Sequence, residues 1–120
     1  MPMPDCKVWD LVKVPFPYTN RPVNQRRPAL VVAIPDTPGA PELLWVLMVT
    51  SAAYRGWPGD LLISDHAAAG LPVASVVRVA KIAKIEAQHA EPIGRLTPPE
   101  QVQIAETLRN CLAPILSGYA

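Results

Sequence analysis

The first half of the chain alternates between short apolar runs and proline-rich polar segments. The apolar runs cover Lys7–Val14, Ala29–Ile34 and Leu43–Thr50, and they are rich in leucine, β-branched and aromatic residues. Runs of this length and composition predict β-strands. Proline ends the first strand, because it has no N–H group to donate to a β-ladder. Turn-forming residues 35–41 join the second run to the third, which predicts an antiparallel hairpin.

Further short apolar runs follow this hairpin. Leu61–Ile63 and Ser75–Val79 predict two more strands. The next segment, Lys81–Glu86, fits two structures, because Ile82 and Ile85 stand at helical spacing while the same residues could extend a strand. We favour the strand.

A helix is predicted near the C-terminus. Thr97 suits the N-cap, Pro98 suits the first helical position, and Glu100 can complete a capping box. Apolar residues at helical spacing predict the face that packs on the sheet: Val102, Ala105, Leu108 and Leu112. Pro114 is expected to disturb the last turn, because it lacks an amide donor. The whole pattern predicts a mainly β domain, an antiparallel sheet with a C-terminal α-helix packed on it.

Length and composition indicate one small domain. The chain has 120 residues, of which 50% are hydrophobic, so we expect a single domain spanning residues 1–120 with a modest core. No apolar run approaches the roughly 18 residues of a membrane span, and residues 1–5 lack signal-peptide features, so we expect a cytoplasmic protein. Cys6 and Cys111 lack metal-site spacing and are expected to be reduced, and no metal or cofactor is predicted.

Positive charge is concentrated in one segment, although the net charge of the chain is only +1. Residues 13–27 contain four cations and no acid: Lys13, Arg21, Arg26 and Arg27. The two adjacent arginines stand directly before Pro28, which biases Arg27 toward an extended backbone. Guanidinium groups offer planar pairs of donors that match phosphate oxygens. The segment therefore predicts a polyanion-binding site, with Tyr18 as a candidate for stacking on a base.

Polar residues end or interrupt the later apolar runs. The hydroxyls of Thr50 and Ser51 end the third run, and Arg78 lies inside a later one. Hydroxyls at a strand end can donate to a phosphate oxygen, whereas a strand arginine must either pair with an acid or reach a cleft. Two interpretations of Arg78 are therefore open, an ion pair with Asp60 or Asp65, or a contact with a bound anion.

The tryptophans separate into two groups. Trp9 and Trp45 lie within apolar runs and are predicted to be core residues. Trp57 lies between Gly56 and Pro58 in a loop, so it is a candidate for stacking on a base or for contacting a partner.

Short motifs follow one another in a specific order between Trp9 and about Leu108. They are Trp9–Tyr18, Arg26–Val32, Val49–Ser51, Gly59-Asp60, Gly70-Leu71-Pro72, Ser75–Val79 and Ile93–Leu96. In this order and spacing they resemble the MazF/PemK family of type II toxin–antitoxin toxins. Arg26–Val32 is similar to the family's R-P-A/V-L-V segment, and Trp9 stands where glycine is usual in the family's first strand.

This resemblance implies an SH3-like antiparallel barrel of about five to seven strands with a C-terminal α-helix. It implies a homodimer that is held in check by a small antitoxin protein. It also implies a metal-independent endoribonuclease that cleaves single-stranded RNA, including mRNA, and so inhibits growth. In this family the ribose 2′-hydroxyl attacks the adjacent phosphate.

The resemblance also assigns roles to residues of this chain. It implies that Arg27 and Thr50 are catalytic. Arg27 is better suited to stabilising developing negative charge than to acting as a base, because the pKa of a guanidinium exceeds about 12. With the residue types considered above, it indicates a set of RNA-contacting residues: Lys13, Tyr18, Arg21, Arg26, Ser51, Trp57 and Arg78.

One departure from the family leaves other functions open. Ala80 stands two residues after the strand arginine, where the family commonly carries an acid. No carboxylate can act from this position, so a slow nuclease, or an inactive relative that only binds RNA or an antitoxin, is an alternative. A CcdB-like gyrase poison is another alternative, although residues 117–120 lack the C-terminal tryptophan on which that activity depends.

Overall fold

The computed structural model describes residues 6–15, 26–36, 38–39, 42–54 and 56–117. Within these residues the chain forms six strands and one long helix. The strands are β1 (Asp10–Pro15), β2 (Arg26–Ala33), β3 (Leu43–Ser51), β4 (Leu61–Leu62), β5 (Ser75–Glu86) and β6 (Glu91–Arg95), and the helix is α1 (Pro98–Leu116). Single 3₁₀ turns, Ala52–Tyr54 and Ala87–His89, follow β3 and β5. The candidate site residues Tyr18 and Arg21 lie outside the described residues.

The strands form one antiparallel sheet in the order β4-β5-β3-β2-β1-β6. The predicted hairpin between the second and third apolar runs is present as β2 and β3. The sheet curls into a half-barrel and is followed by the single C-terminal helix, which confirms the predicted mainly β, barrel-like fold. The strand predicted over Lys81–Glu86 is also confirmed, because β5 extends from Ser75 to Glu86.

The first two strands begin at other residues than the apolar pattern predicts. β1 begins at Asp10 rather than Lys7. β2 begins at Arg26, because Arg26 and Arg27 already pair with Pro15 and Val14 of β1. The two arginines are therefore part of the sheet, so the backbone of each is held by strand pairing.

The apolar pattern did not predict β6. This strand contains Pro92 and Gly94, which interrupt any apolar run and are both disfavoured in strands. It pairs with β1 at the edge of the sheet, where a proline without an N–H group is tolerated.

The two faces of the sheet carry separate hydrophobic clusters. Alternation along β3 shows the division, since Val46 and Met48 join one cluster while Leu47 and Val49 join the other. The first cluster also contains Val12, Val14, Ala29 and Val31, and the second also contains Leu11, Leu30, Val77 and Ile104. Because both faces of the central strands are covered, their sequences are continuously apolar.

The predicted cap of α1 is present and also ties the helix to the sheet. The Glu100 carboxylate accepts hydrogen bonds from the Thr97 hydroxyl at 2.6 Å and from the Thr97 N–H at 3.4 Å. It also accepts one at 2.7 Å from the N–H of Ser64, which follows β4. Burial acts to raise the pKa of Glu100, but these hydrogen bonds outweigh it and hold the pKa below its usual value.

The predicted inward face of α1 is wrong in part. Val102 and Leu112 are 58% and 45% exposed, whereas Ile104 is fully buried against the second cluster and Leu108 packs beside it. Helical spacing alone could not distinguish the two apolar stripes, because each recurs with the same period. No helix in the described part of the chain combines the length and apolarity that crossing a bilayer needs.

The two tryptophans predicted to be buried have different environments. Trp9 packs partly buried on the second cluster with a φ of 78°, a conformation that costs most residues energy and glycine very little. This left-handed turn explains why glycine is suited to the position. Trp45 is 37% exposed on β3 with the Lys84 ammonium 5.3 Å from its ring centre, so its prediction as a core residue is wrong.

Two glycines allow the loop before β5 to touch β6. A Cβ atom on Gly94 would collide with the carbonyl of Ala69, and one on Gly70 would collide with the carbonyl of Ile93. Gly70 also has a φ of 83°, which favours glycine. The loop can therefore lie against β6 only while both positions lack a side chain.

Candidate functional site

The two residues at the centre of the sequence prediction lie side by side on one face of the sheet. Ala29 of β2 pairs with Met48 of β3, and the same antiparallel register continued by two residues brings Arg27 level with Thr50. Residues two apart on a strand point to the same face, so both side chains share the face that carries Met48. Arg27 and Thr50 also line the same two adjoining pockets.

Those pockets form an open surface groove with a large and a small part. The large pocket has a volume of about 540 Å³ and the small pocket about 430 Å³. Four residues line both: Arg27, Val49, Thr50 and Tyr54. Arg27 and Thr50 therefore lie where the two pockets of the groove adjoin.

Arg78 lines the large pocket, but its side chain is only 10% exposed and most of its contacts are internal. Its Nε and Nη2 atoms donate to the two carboxylate oxygens of Asp60 at 3.2 and 3.0 Å, and Nη2 also donates to the Tyr54 carbonyl at 2.8 Å. The sequence alternative in which Arg78 pairs with Asp60 is thus the one the structure shows. The hydrogen bond from Arg78 holds the pKa of Asp60 below its usual value, although burial acts in the opposite direction.

The same Asp60 carboxylate organises the loop that carries Trp57. It accepts hydrogen bonds from the N–H groups of Gly56 and Trp57, both at 3.3 Å. The guanidinium carbon of Arg78 lies 4.2 Å from the centre of the Trp57 ring, in a cation–π contact. Trp57 lines the large pocket and is 48% exposed, so part of its aromatic ring faces solvent in the groove.

The small pocket contains the other predicted RNA-contacting residues that the structure describes. Lys13, Arg26 and Ser51 line it together with the apolar residues Leu71, Pro72, Val73 and Ile93. Arg26 donates to the His89 carbonyl at 2.7 Å and forms an ion pair with Glu91 at 3.5 Å. Ser51 accepts a hydrogen bond from the Ala53 N–H at 3.2 Å, which helps turn the chain after β3.

The described residues that line the groove include cations and hydroxyls but no carboxylate and no histidine. Ala80, where the family commonly carries an acid, is exposed and does not line either pocket. Lys81, which sequence reasoning did not select, does line the large pocket. Over the described part of the chain, no group of three metal-binding side chains is close enough to hold a metal ion.

The curled antiparallel sheet and its groove define a small barrel-like protein whose open surface groove is lined by cations and hydroxyls. The family model described as "PemK-like, MazF-like toxin of type II toxin-antitoxin system" matches residues 7–112. The chain therefore belongs to this family of toxins. A comparison with curated protein sequences gives no match.

Solved structures with the same fold include three MazF chains. MazF of Deinococcus radiodurans (form I) has a TM-score of 0.64 and 22% identity, and covers 94% of this chain and 99% of its own. The MazE–MazF complex of the same organism (form II) gives 0.65 and 20%, with coverages of 93% and 97%. The Mycobacterium tuberculosis toxin MazF-mt6 gives 0.64 and 19%, with coverages of 87% and 96%. At these identities the similarity shows the fold alone.

Proposed function

We propose that this chain is an endoribonuclease toxin that acts in the cytoplasm on single-stranded RNA, including mRNA, and thereby inhibits growth. The observation that carries the proposal is the position of Arg27 and Thr50, which face the same groove at the point where its two pockets meet. A guanidinium and a hydroxyl so placed can both donate to one phosphodiester. Membership of the toxin family supports the same activity.

The proposed reaction is attack of the ribose 2′-oxygen on the adjacent phosphorus. The bond from phosphorus to the 5′-oxygen breaks, which leaves a 2′,3′-cyclic phosphate on one fragment and a 5′-hydroxyl on the other. The 2′-hydroxyl gives its proton to solvent water and the 5′-oxygen takes one from solvent water, so the protons balance. The chemistry is metal-independent in this proposal, because charge stabilisation is assigned to the protein.

Arg27 and Thr50 have separate roles in this reaction. As the phosphorus becomes five-coordinate, negative charge builds on its non-bridging oxygens, and the permanently charged Arg27 stabilises it. Thr50 donates a hydrogen bond from its hydroxyl to the same phosphate and fixes its position. Exposed Trp57 next to the large pocket offers a stacking surface for a base, and the Lys13 and Arg26 side chains line the path through the small pocket.

We also propose that the toxin is a homodimer and that an antitoxin protein inhibits it. A MazE–MazF complex of D. radiodurans has the same MazF fold as this chain, which supports a protein partner of the MazE type. The antitoxin segment is expected to be acidic and extended, because it must compete with RNA for the cations of the groove.

Cleavage of RNA in the presence of EDTA tests the proposal. The purified protein is incubated with mixed-sequence single-stranded RNA, and fragment ends are analysed for cyclic phosphate and 5′-hydroxyl groups. Removing an oxyanion-stabilising donor costs about 100- to 1000-fold in rate in other enzymes, so Arg27→Ala should lose at least that much. Lys84→Ala is the matched control, because Lys84 is a cation that lines neither pocket. RNA that stays intact at high protein excess would contradict the assignment.

A binding module without nuclease activity is the second candidate, and one observation favours it. The described groove residues include no carboxylate or histidine that could act as a general base. Such a module would bind uncleavable single-stranded RNA through Arg27 yet leave natural RNA intact. Expression in cells separates the two candidates. Arg27→Ala should abolish growth arrest if the protein cuts RNA, whereas equal toxicity of the two versions, or none in either, would favour the module.

A further inference from the structure

β5 contains a bulge next to the groove. Met48 of β3 pairs with Arg78, but the neighbouring Leu47 pairs with Ile82, so Val79, Ala80 and Lys81 lie between two successive pairs. Extra residues in one strand kink it and redirect its side chains, and such bulges recur beside active sites.

The bulge changes which side chain of β5 enters the groove. In an unbroken strand the residue two positions after Arg78, Ala80, would share its face. Here Val79 is buried in the second cluster, Ala80 is exposed away from both pockets, and the half-buried Lys81 lines the large pocket with Arg27 and Thr50. The bulge thus delivers a lysine to the place where regular alternation would put Ala80.

Lys81 is half-buried, whereas Arg78, the other β5 cation of the groove, is buried. The Arg78 charge is compensated by a close ion pair with Asp60, whose side chain is 7% exposed. The described residues of the large pocket include Arg27, Arg78 and Lys81 as cations, and no acid. Of the two β5 cations, Lys81 is therefore the one whose side chain is more accessible to a ligand in the large pocket.

We infer that Lys81 is a phosphate-binding residue of the groove, contacting the RNA backbone on the large-pocket side of Arg27 and Thr50. A lysine ammonium on a flexible stem binds phosphate as a point charge and does not need the planar geometry of a guanidinium. The inference rests on the proposed function, because it takes single-stranded RNA as the ligand. It adds a residue that neither the charge pattern of the sequence nor the family motifs indicated.

Salt dependence of binding to an uncleavable RNA tests this role. Dissociation constants of a labelled 2′-O-methyl RNA of mixed sequence are measured over a tenfold range of salt concentration, from about 0.05 M to about 0.5 M. Each lost phosphate contact on a single strand lowers the slope of log affinity against log salt by about 0.7. Lys81→Ala should show that decrease and bind about fivefold more weakly at 0.1 M salt, with the difference shrinking toward 1 M.

Two variants make the test specific. Lys81→Arg keeps the charge and should recover the wild-type slope, whereas Lys84→Ala removes an equal charge from the same strand outside the groove and should leave the slope unchanged. The inference is overturned if Lys81→Ala keeps the wild-type slope, if Lys81→Arg behaves like Lys81→Ala, or if Lys84→Ala lowers the slope equally. A wild-type protein that neither binds nor cleaves RNA refutes the proposed function instead.

Discussion

Replacing Asp60 by alanine would leave the Arg78 guanidinium without its counter-ion in a site where its side chain is only 10% exposed. The change removes two hydrogen bonds from Arg78 and two from the N–H groups of Gly56 and Trp57. Breaking a buried ion pair by removing one partner costs about 3–5 kcal/mol. A domain of this size has a total stability of about 5–15 kcal/mol, so the loss is a large fraction of it.

Urea denaturation followed by far-ultraviolet circular dichroism measures this free energy of unfolding directly. We expect Asp60→Ala to lower it by about 3–5 kcal/mol and the thermal midpoint by roughly 10 °C or more. Asp60→Asn keeps the shape and one acceptor oxygen, so its loss should be smaller. The double variant Asp60→Leu with Arg78→Met removes both charges and should recover much of the stability, because it leaves no buried charge unpaired.

Two results for the free energy of unfolding would contradict the predicted effect of an unpaired charge. A loss below about 1 kcal/mol for Asp60→Ala would mean that the pair behaves like an exposed surface ion pair. A double variant as unstable as the single one would mean that packing, and not the unpaired charge, determines the loss.

Three further predictions concern the fold and the groove. Gly94→Ala should lower the free energy of unfolding by about 1–3 kcal/mol in urea denaturation, because the added methyl meets the Ala69 carbonyl and the backbone must shift; an unchanged midpoint would contradict this. Ala80→Asp should leave the cleavage rate in the EDTA assay within about twofold of wild type, since Ala80 lines neither pocket, and a large gain would show that an acid acts from there. The urea midpoint should be constant from about pH 7 to pH 5 and fall below about pH 4.5. The pKa values of Asp60 and Glu100 lie below their usual 3.8 and 4.5, so the stability that these carboxylates contribute is lost as they protonate. A midpoint independent of pH would contradict this prediction.

Local patterns determined much of the sheet and the helix start. The β2–β3 hairpin followed from two apolar runs joined by turn residues, and the start of α1 followed from Thr97, Pro98 and Glu100. The resemblance to the toxin family selected Arg27 and Thr50 as a pair, and each stands at the end of an apolar run that becomes a central strand. These features depend on residues close together in the chain, where propensity and turn chemistry act.

Other features depended on contacts between distant residues. The Arg78 pairing could not be chosen from sequence, because Asp60 and Asp65 were both plausible partners and only the folded loop brings Asp60 to the guanidinium. The inward stripe of α1 was equally ambiguous, since the position of the sheet selects Ile104 over Val102.

The sequence by itself determined the class of fold, the helix cap and the two central groove residues, because those depend on local pattern and on motifs in order. Only the tertiary structure decided the register of β5 against β3, and with it the entry of Lys81 and the exclusion of Ala80 from the groove. The physical reason is that a bulge is set by the fit of one strand to its partner, which neither strand's own sequence encodes.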